Sequence, residues 1–207
     1  MYRVIGKNVY HKFISEEDKD GIIDATADWR MDGSGQKLWL FDEALKRWLK
    51  WNNTVLEKME TQTEPVWMDN DCPITEGIYL KTNDKFIGFS RNRFEIGKIL
   101  ANEAVFIVPE YRGNAYLTES SILGIKTVFD TLEGNEIHSQ VPVDKSSSSL
   151  PTTTKESDDK MTKFDRVEPI TYKKTVYTRA EYLSWINDSK NEHIKNAPYE
   201  YILRYTE

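Results

Sequence analysis

The sequence predicts an α/β domain in which one mixed, mostly antiparallel sheet is flanked by helices, with residues 1–207 forming a single unit. Three observations carry this expectation. Extended apolar segments alternate with stretches of helical spacing along the chain. Two extended segments, "GIYLKT" (77–82) and "KFIGFSR" (85–91), are separated only by Asn83-Asp84, the pattern of an antiparallel hairpin with a polar turn. A third, "NEAVFIV" (102–108), is a strongly apolar strand that runs directly toward a helical pattern.

The remaining elements follow in order. Residues 9–14, "VYHKFI", read as a first strand. Ser15, followed by Glu16, Glu17 and Asp18, has the residue types of an N-cap with acids against the positive end of a helix, expected to reach about Ala27. A glycine-containing link, "MDGSGQ" (31–36), comes next. In "FDEALKRWLKWNNTVLEKME" (41–60), apolar residues recur at 41, 44, 45, 48, 49, 51, 55, 56 and 59, which is helical spacing with Asp42 as its cap. After the 102–108 strand, Ile122, Ile125, Phe129 and Leu132 share one helix face with Val128 beside them, and Gly134 stands where a helix should end.

"EIHSQVPV" (136–143) and "ITYKKTVY" (170–177) are expected strands, and Thr178 with Glu181 makes a capping box for another helix. Tyr199, Tyr201, Leu203 and Tyr205 alternate as a final strand. Between the two strands lies "DKSSSSLPTTTKESDDK" (144–160), too polar for apolar burial to offset the entropy of ordering it, so a flexible loop is expected there.

Composition narrows the function classes. A net charge of −6, with Lys and Arg interspersed among acids, gives no positive track for nucleic acid and no attraction to an anionic membrane. No apolar run approaches the roughly 18 residues of a membrane span. The opening "MYRVIGKNVYHKF" lacks the apolar core of a secretory signal, and Cys72 is the single cysteine, so the cytoplasm is the expected setting. His11, His138 and His193 are scattered, with no spacing suited to a metal, and none is expected.

The chemistry concentrates in "PEYRGNAYLTES" (109–120). A strand whose C-terminal end feeds a helix N-terminus presents unpaired N–H groups and the helix dipole to an anion. Gly113 lets the backbone turn sharply, and Arg112 brings a fork of donors. Neither the GxxxxGK(S/T) loop nor the GxGxxG fingerprint is present. On these residues alone, a phosphate cradle and a plain strand-to-helix turn are equally open.

"VFIVPEYRGNAYLTES" resembles the acyl-coenzyme A signature of the GNAT N-acetyltransferase superfamily, V-x-P-x-Y-R-G-x-G-x-A/G-T-E, and is closest in motif to the ribosomal-protein-acetylating type. The order of elements around it is similar too, as is "KMTKFDRVEPITYKKTVY" to the family's junction before its sixth strand. The pyrophosphate loop is degenerate: Ala115 stands at the second glycine and Leu117 at a usual Gly or Ala. The Asn after the fifth strand is missing, 152–160 has no apolar helix face, and Lys163 replaces the Gly before Phe164.

The resemblance implies acetyl-CoA as co-substrate, no metal, and direct attack by a primary amine in a ternary complex. It places the pantetheine arm along the backbone of Val105, Phe106 and Ile107, and the pyrophosphate against Arg112, Gly113, Asn114, Ala115, Tyr116, Leu117 and Thr118. Glu103 is the expected catalytic base, on the assumption that Ala101, Glu103, Val105 and Ile107 share a strand face. Tyr172, or else Tyr177, is the candidate proton donor to the leaving thiolate. The segment between the first two helices, with Trp29, Arg30 and Asp32, is where such a family builds acceptor contacts. The acceptor is a small-molecule or protein amine, and the acidic balance leans toward a basic one such as a polyamine. A homodimer stays open as an assembly. The departures motivate one alternative, a non-catalytic GNAT-fold binding or regulatory protein, and a nucleic-acid-modifying acyltransferase is a further one that the charge balance does not support.

Overall fold

The computed structural model describes residues 2–26, 36–61, 72–142, 155–163 and 170–203. Nine strands lie in one sheet: β1 (Tyr2–Ile5), β2 (Val9–Phe13), β3 (Cys72–Leu80), β4 (Phe86–Glu95), β5 (Ile99–Ile107), β6 (Glu136–Pro142), β7 (Lys155–Lys163), β8 (Ile170–Thr178) and β9 (Glu200–Leu203). Their order is β7-β8-β6-β5-β4-β3-β2-β1-β9. Among the described residues every pairing is antiparallel except β5 with β6. A parallel pair needs a long crossover, and α3 (Tyr116–Lys126), extended by a wide turn over Thr127–Thr131, supplies it. The expected mixed, mostly antiparallel α/β architecture is the one found.

Helices cover both faces. Phe106 and Ile107 are neighbours on β5, yet they bury into different apolar clusters. Phe106 packs with Ile22 of α1 (Lys19–Ala25), Trp48 of α2 (Gln36–Thr61) and Phe89. Ile107 joins the larger cluster with Leu123, Val128, Phe129 and Ile78 on the α3 side. In α2 the buried residues Leu45, Trp48, Asn52, Val55 and Met59 fall at alternating spacings of three and four, so one stripe meets the sheet.

Asn52 is the polar member of that stripe and has a specific task. β2 leaves β3 after the Phe13–Glu76 pair. The Asn52 side chain takes over the vacated edge, donating Nδ2 to the Thr75 carbonyl at 2.7 Å and accepting the Thr75 N–H at 2.8 Å. A helix side chain thereby satisfies the Thr75 N–H beyond the last β2–β3 pair and shares the Thr75 carbonyl with the Ile14 N–H, which lies 3.3 Å from it.

The C-terminal segment returns over the α3 face. Thr178 and Glu181 cap α4 (Arg179–Ile186) reciprocally, with the Thr178 N–H on the Glu181 carboxylate at 2.8 Å and the Glu181 N–H on Thr178 Oγ1 at 3.2 Å. Lys126 Nζ then caps α5 (Glu192–Lys195) through the carbonyls of Ile194 and Lys195 at 3.3 and 3.2 Å. Burial lowers the pKa of that lysine, opposed by Asp130. β9 finally pairs with β1 at the far sheet edge.

Several elements differ from the sequence reading. β1 precedes the expected first strand. Ser15 does open a helical turn, with its N–H and Oγ on the Asp18 carboxylate at 2.8 and 3.1 Å, but α1 stops at Ala25. α2 starts at Gln36, so Asp42 lies inside the helix and pairs with Lys19 at 2.7 Å instead of capping. At the end of α3 the left-handed residue is Glu133, with φ 54°, while the Gly134 N–H closes the turn on the Val128 carbonyl at 2.7 Å. The flexible loop expected over 144–160 is overturned for its last part, since 155–160 belong to β7, in which Lys155, Glu156 and Lys160 pair with β8 across an irregularity between Glu156 and Lys160. Residues 144–154 lie outside the described residues, as do 27–35 and Tyr205.

Asn52→Ala removes both bonds to Thr75 and strands its buried N–H. It is expected to lower unfolding free energy by about 2–3 kcal/mol, the cost of an unsatisfied buried group plus lost packing. Equilibrium denaturation with an unchanged slope checks this, and a loss below about 0.5 kcal/mol would deny Asn52 its sealing role.

Candidate active site

β5 and β6 pair from Ile99–Glu136 to Asn102–Ser139, and then part. Beyond that point β5 goes on pairing with β4, as far as Gly88–Ile107, and β6 with β8, as far as Pro142–Tyr172, and among the described residues no strand pairing joins β5 to β6. A wedge therefore opens inside the sheet. A β-bulge sits at its apex: Asn92 faces Asn102 and Arg91 faces Ala104, which leaves Glu103 as the extra residue. β4 meanwhile stays tight against β5, because a Cβ at Gly88 would lie 2.2 Å from the Phe106 carbonyl oxygen. The backbone of Val105, Phe106 and Ile107 forms one wall of the wedge, with Val105 37% exposed and the other two buried.

The chain leaves the open end of the wedge through a tight turn at Pro109–Tyr111 and reaches Gly113, whose φ is +77°. Only open space surrounds the place where a Gly113 side chain would begin. Ala115 adopts ordinary helical angles, φ −67° and ψ −4°, so the missing second glycine costs nothing in backbone strain. The Glu119 N–H donates to the Ala115 carbonyl at 2.9 Å. The N–H groups ahead of it, from Gly113 to Thr118, precede the helical ladder at the mouth of the wedge. Leu117 is 43% exposed on this first turn, and Asn114 Nδ2 folds back to the Tyr111 carbonyl at 3.3 Å.

Arg112 does something else than expected. Its Nε donates to the Ile107 carbonyl at 2.8 Å, and an Nη reaches the Ala25 carbonyl at 3.5 Å. The guanidinium thus ties the loop to the ends of β5 and α1. Glu119 ties the other side: its carboxylate accepts the Asn8 N–H at 2.7 Å, Asn8 Nδ2 at 2.8 Å and the Val9 N–H at 3.2 Å. The sequence reading missed Glu119, although it is the last residue of the signature motif.

The bulge also undoes the expected alternation. Glu103 and Ile107 turn to opposite faces. Glu103 pairs with Arg91 at 3.2 Å and Arg93 at 3.7 Å, and Arg91 lies over the Trp48 ring of α2 at 4.7 Å. Its oxygens are committed to guanidiniums on the α2 side. Tyr172 sits on β8 opposite Pro142, the last residue of β6. Tyr177 is buried with its ring edge-on to Phe129, and burial raises its pKa, with a smaller contribution from Glu181. Trp29, Arg30 and Asp32 lie outside the described residues. Among the described residues no cluster of His, Cys, Asp or Glu is arranged to hold a metal, and no helix is long and apolar enough to cross a membrane.

A polar seam, also missed, runs across the α3 face to the apex. Tyr2 Oη donates to Glu76, whose other oxygen accepts Asn92 Nδ2 at 3.0 Å and Ser90 Oγ at 3.4 Å. Asn102 Nδ2 donates to Asn92 Oδ1 at 2.8 Å, which carries the seam to the last β5 residue paired with β6. Beside it is a cavity of about 30 Å³, lined by Glu76, Asn92, Leu100, Thr127 and His11. That is room for roughly one water. His11 Nε2 lies 2.8 Å from Ser120 Oγ.

This is the fold of the GNAT N-acetyltransferases. Apo FdhC, a nucleotide-linked sugar GNAT, superposes with a TM-score of 0.59 at 15% identity, over 90% of this chain and 95% of its own. A GCN5-related N-acetyltransferase from Brucella melitensis gives 0.60 at 10% identity, over 93% and 83%. A chimera of spermidine N-acetyltransferase SpeG from Vibrio cholerae with hSSAT gives 0.56 at 12% identity, over 86% and 99%. The ribosomal-protein type, suggested by the motif, is one kind among several such neighbours. Neither a protein-family model nor a curated protein sequence matches the chain.

Burial lowers the pKa of His11 from its ordinary 6.5, against the opposing pull of Glu76 and Glu119. Protons therefore bind the unfolded chain more readily than the folded one. The stability His11 contributes is complete above pH 6.5 and is lost as pH falls below it. Thermal unfolding midpoints at successive pH values should drop more below that point in wild type than in His11→Gln. Equal slopes would show that His11 does not carry the effect.

Proposed function

We propose that this chain is an N-acetyltransferase that moves an acetyl group from acetyl-CoA to a primary amine by direct attack in a ternary complex. The observation that carries this reading is the parting of β5 and β6 immediately before the Gly113 turn. An extended, amide-rich arm finds the stretch of β5 that β6 has left, and a pyrophosphate finds the N–H groups of residues 113–118. The residues present fit such a molecule: Gly113 adds no bulk, Ala115 needs no unusual backbone, and Arg112 and Glu119 brace the loop from two sides.

The amine nitrogen bonds to the thioester carbonyl carbon, the C–S bond breaks, and the thiolate leaves with a proton. The chain aligns the two reactants, and the N–H groups of Val105, Phe106 and Ile107 are the donors nearest the developing negative charge. Glu103 stands at the apex, within reach of the amine directly or through one water. Because Arg91 and Arg93 occupy its oxygens, we assign it a smaller part than a free base would take, with solvent accepting most of the proton. Tyr172 is the candidate donor to the thiolate, placed across the end of β6.

The neighbours act on different acceptors, a nucleotide-linked sugar in one and spermidine in another, so the fold leaves the amine open. Calorimetric titration with acetyl-CoA and thiol release over an amine panel test the reading. Binding in the micromolar range and amine-dependent release are expected. Gly113→Val, which forces a β-branched residue into positive φ, should abolish binding while the fold survives. Glu103→Gln should cost less than about tenfold in kcat, against the 10²-fold or more typical of a lost general base. Binding without release over the panel would favour a non-catalytic module instead.

A further inference from the structure

The apex of the wedge carries a second titratable pair besides Glu103 and its arginines. Glu136 and His138 are two residues apart on β6, and His138 Nε2 lies 2.7 Å from a Glu136 carboxylate oxygen. Ile137 between them is buried in the cluster that α3 covers, so both side chains project from the α2 face of the sheet, the face that Glu103 also uses. His138 stands opposite Ala101, one pair before β5 and β6 end their pairing at Asn102–Ser139. Ala101 carries a single methyl group, and Glu103 lies two residues further along β5. Strand spacing sets the backbones of His138 and Glu103 roughly 8 Å apart. An amine nitrogen or a water can bridge the side chains across that distance.

The pair fixes the tautomer of the ring. A carboxylate only accepts hydrogen bonds, so the proton of the neutral imidazole sits on Nε2 and the lone pair on Nδ1. Among the described residues Glu136 is the ring's hydrogen-bond partner, and it occupies Nε2. The His138 side chain is 16% exposed and that of Glu136 38%, so the ring is shielded but still in touch with solvent. The other charged groups on this face are Lys174 of β8, in register with Gln140, and Arg91 and Arg93, which lie beyond Glu103 on β4. Both guanidiniums are directed at Glu103, which leaves the imidazole as the less committed base. Imidazole is also the side chain best suited to taking up and releasing a proton near neutral pH.

We propose that His138 takes the proton of the attacking amine through one water, and that Glu136 is its positioning residue. This rests on the acetyl-transfer reading above and deepens it by naming where the proton goes. As the amine nitrogen bonds to the thioester carbon and the C–S bond breaks, the N–H proton passes to the water, and a proton of that water passes to Nδ1. The imidazolium keeps its Nε2–H on Glu136 and returns the Nδ1 proton to solvent after the product leaves.

The test follows acetyl-CoA-dependent thiol release over ethanolamine, β-alanine, lysine and spermidine, the fastest amine then being used for the variants, with acetyl-CoA affinity measured by calorimetry. His138→Gln keeps a hydrogen bond to Glu136 but loses basicity. Its kcat should fall about 10²-fold or more, with acetyl-CoA affinity nearly unchanged. His138→Ala should lose as much and regain part of its rate from imidazole added to the buffer. Glu136→Gln should lower kcat about tenfold or more, and the double variant should be no slower than His138→Gln alone, because the two residues act as a unit. A kcat for His138→Gln within about threefold of wild type overturns the proposal and leaves the transfer reading standing. Losses that add with Glu136→Gln and that imidazole does not relieve would mark a structural pair, and also overturn it. If the His138 variants do not fold, Glu136→Gln at its part-exposed site decides: a lower kcat at unchanged acetyl-CoA affinity supports the proposal, and an unchanged kcat overturns it. If no amine releases thiol from the wild type, the transfer reading itself fails, and this proposal with it.

Discussion

Everything at this site depends on the place where β5 and β6 stop sharing hydrogen bonds. A sheet interior normally satisfies every backbone N–H and C=O, and an unpaired edge is tolerated only where water or another chain-like group completes it. Here the edge is created inside the sheet, after Asn102–Ser139, with intact pairing continuing on either side to β4 and β8. Nine strands therefore hold the wedge open from both flanks. α3, which makes the parallel pairing possible at all, delivers its N-terminus to the open end.

The wedge is fixed by local devices of different kinds. The Glu103 bulge changes the direction of β5 at the apex. The seam from Glu76 through Asn92 to Asn102 anchors the last paired residue to the buried interior. Arg112 and Glu119 brace the loop against α1 and the β1–β2 turn. Buried networks of this sort contribute rigidity when every member is satisfied. Such rigidity matters for a reaction in which the protein mainly positions two reactants.

Much of this was legible in the chain, and the limits have physical causes. The 102–108 strand and the Gly113 turn are local patterns that hold, and the α3 stripe holds at Ile125, Val128, Phe129 and Leu132 but not at Ile122, since Leu123 is the buried residue there. β1 was missed because four residues bracketed by an edge pairing carry little periodicity. The polar run 155–160 reads as loop because its apolar content is low, yet β7 is an edge strand held by backbone pairing with β8. Asp42 is a good cap by type, but α2 begins six residues earlier. The functional face of Glu103 was misassigned for a sharper reason. Two-residue alternation holds only while the ladder is regular, and nothing in "ILANEAVFI" marks the bulge. The Arg91–Glu103–Arg93 cluster and the Glu119 clamp join residues far apart in sequence, so pattern alone does not reveal them.

Amide hydrogen exchange with and without acetyl-CoA addresses the central claim most directly. The account predicts that added acetyl-CoA slows exchange at Val105–Ile107, on the stretch of β5 that β6 has left, and at Gly113–Thr118, at the start of α3, with little change in β1 or β2. Unchanged exchange at both segments under saturating acetyl-CoA, or protection confined to some other surface, would contradict it.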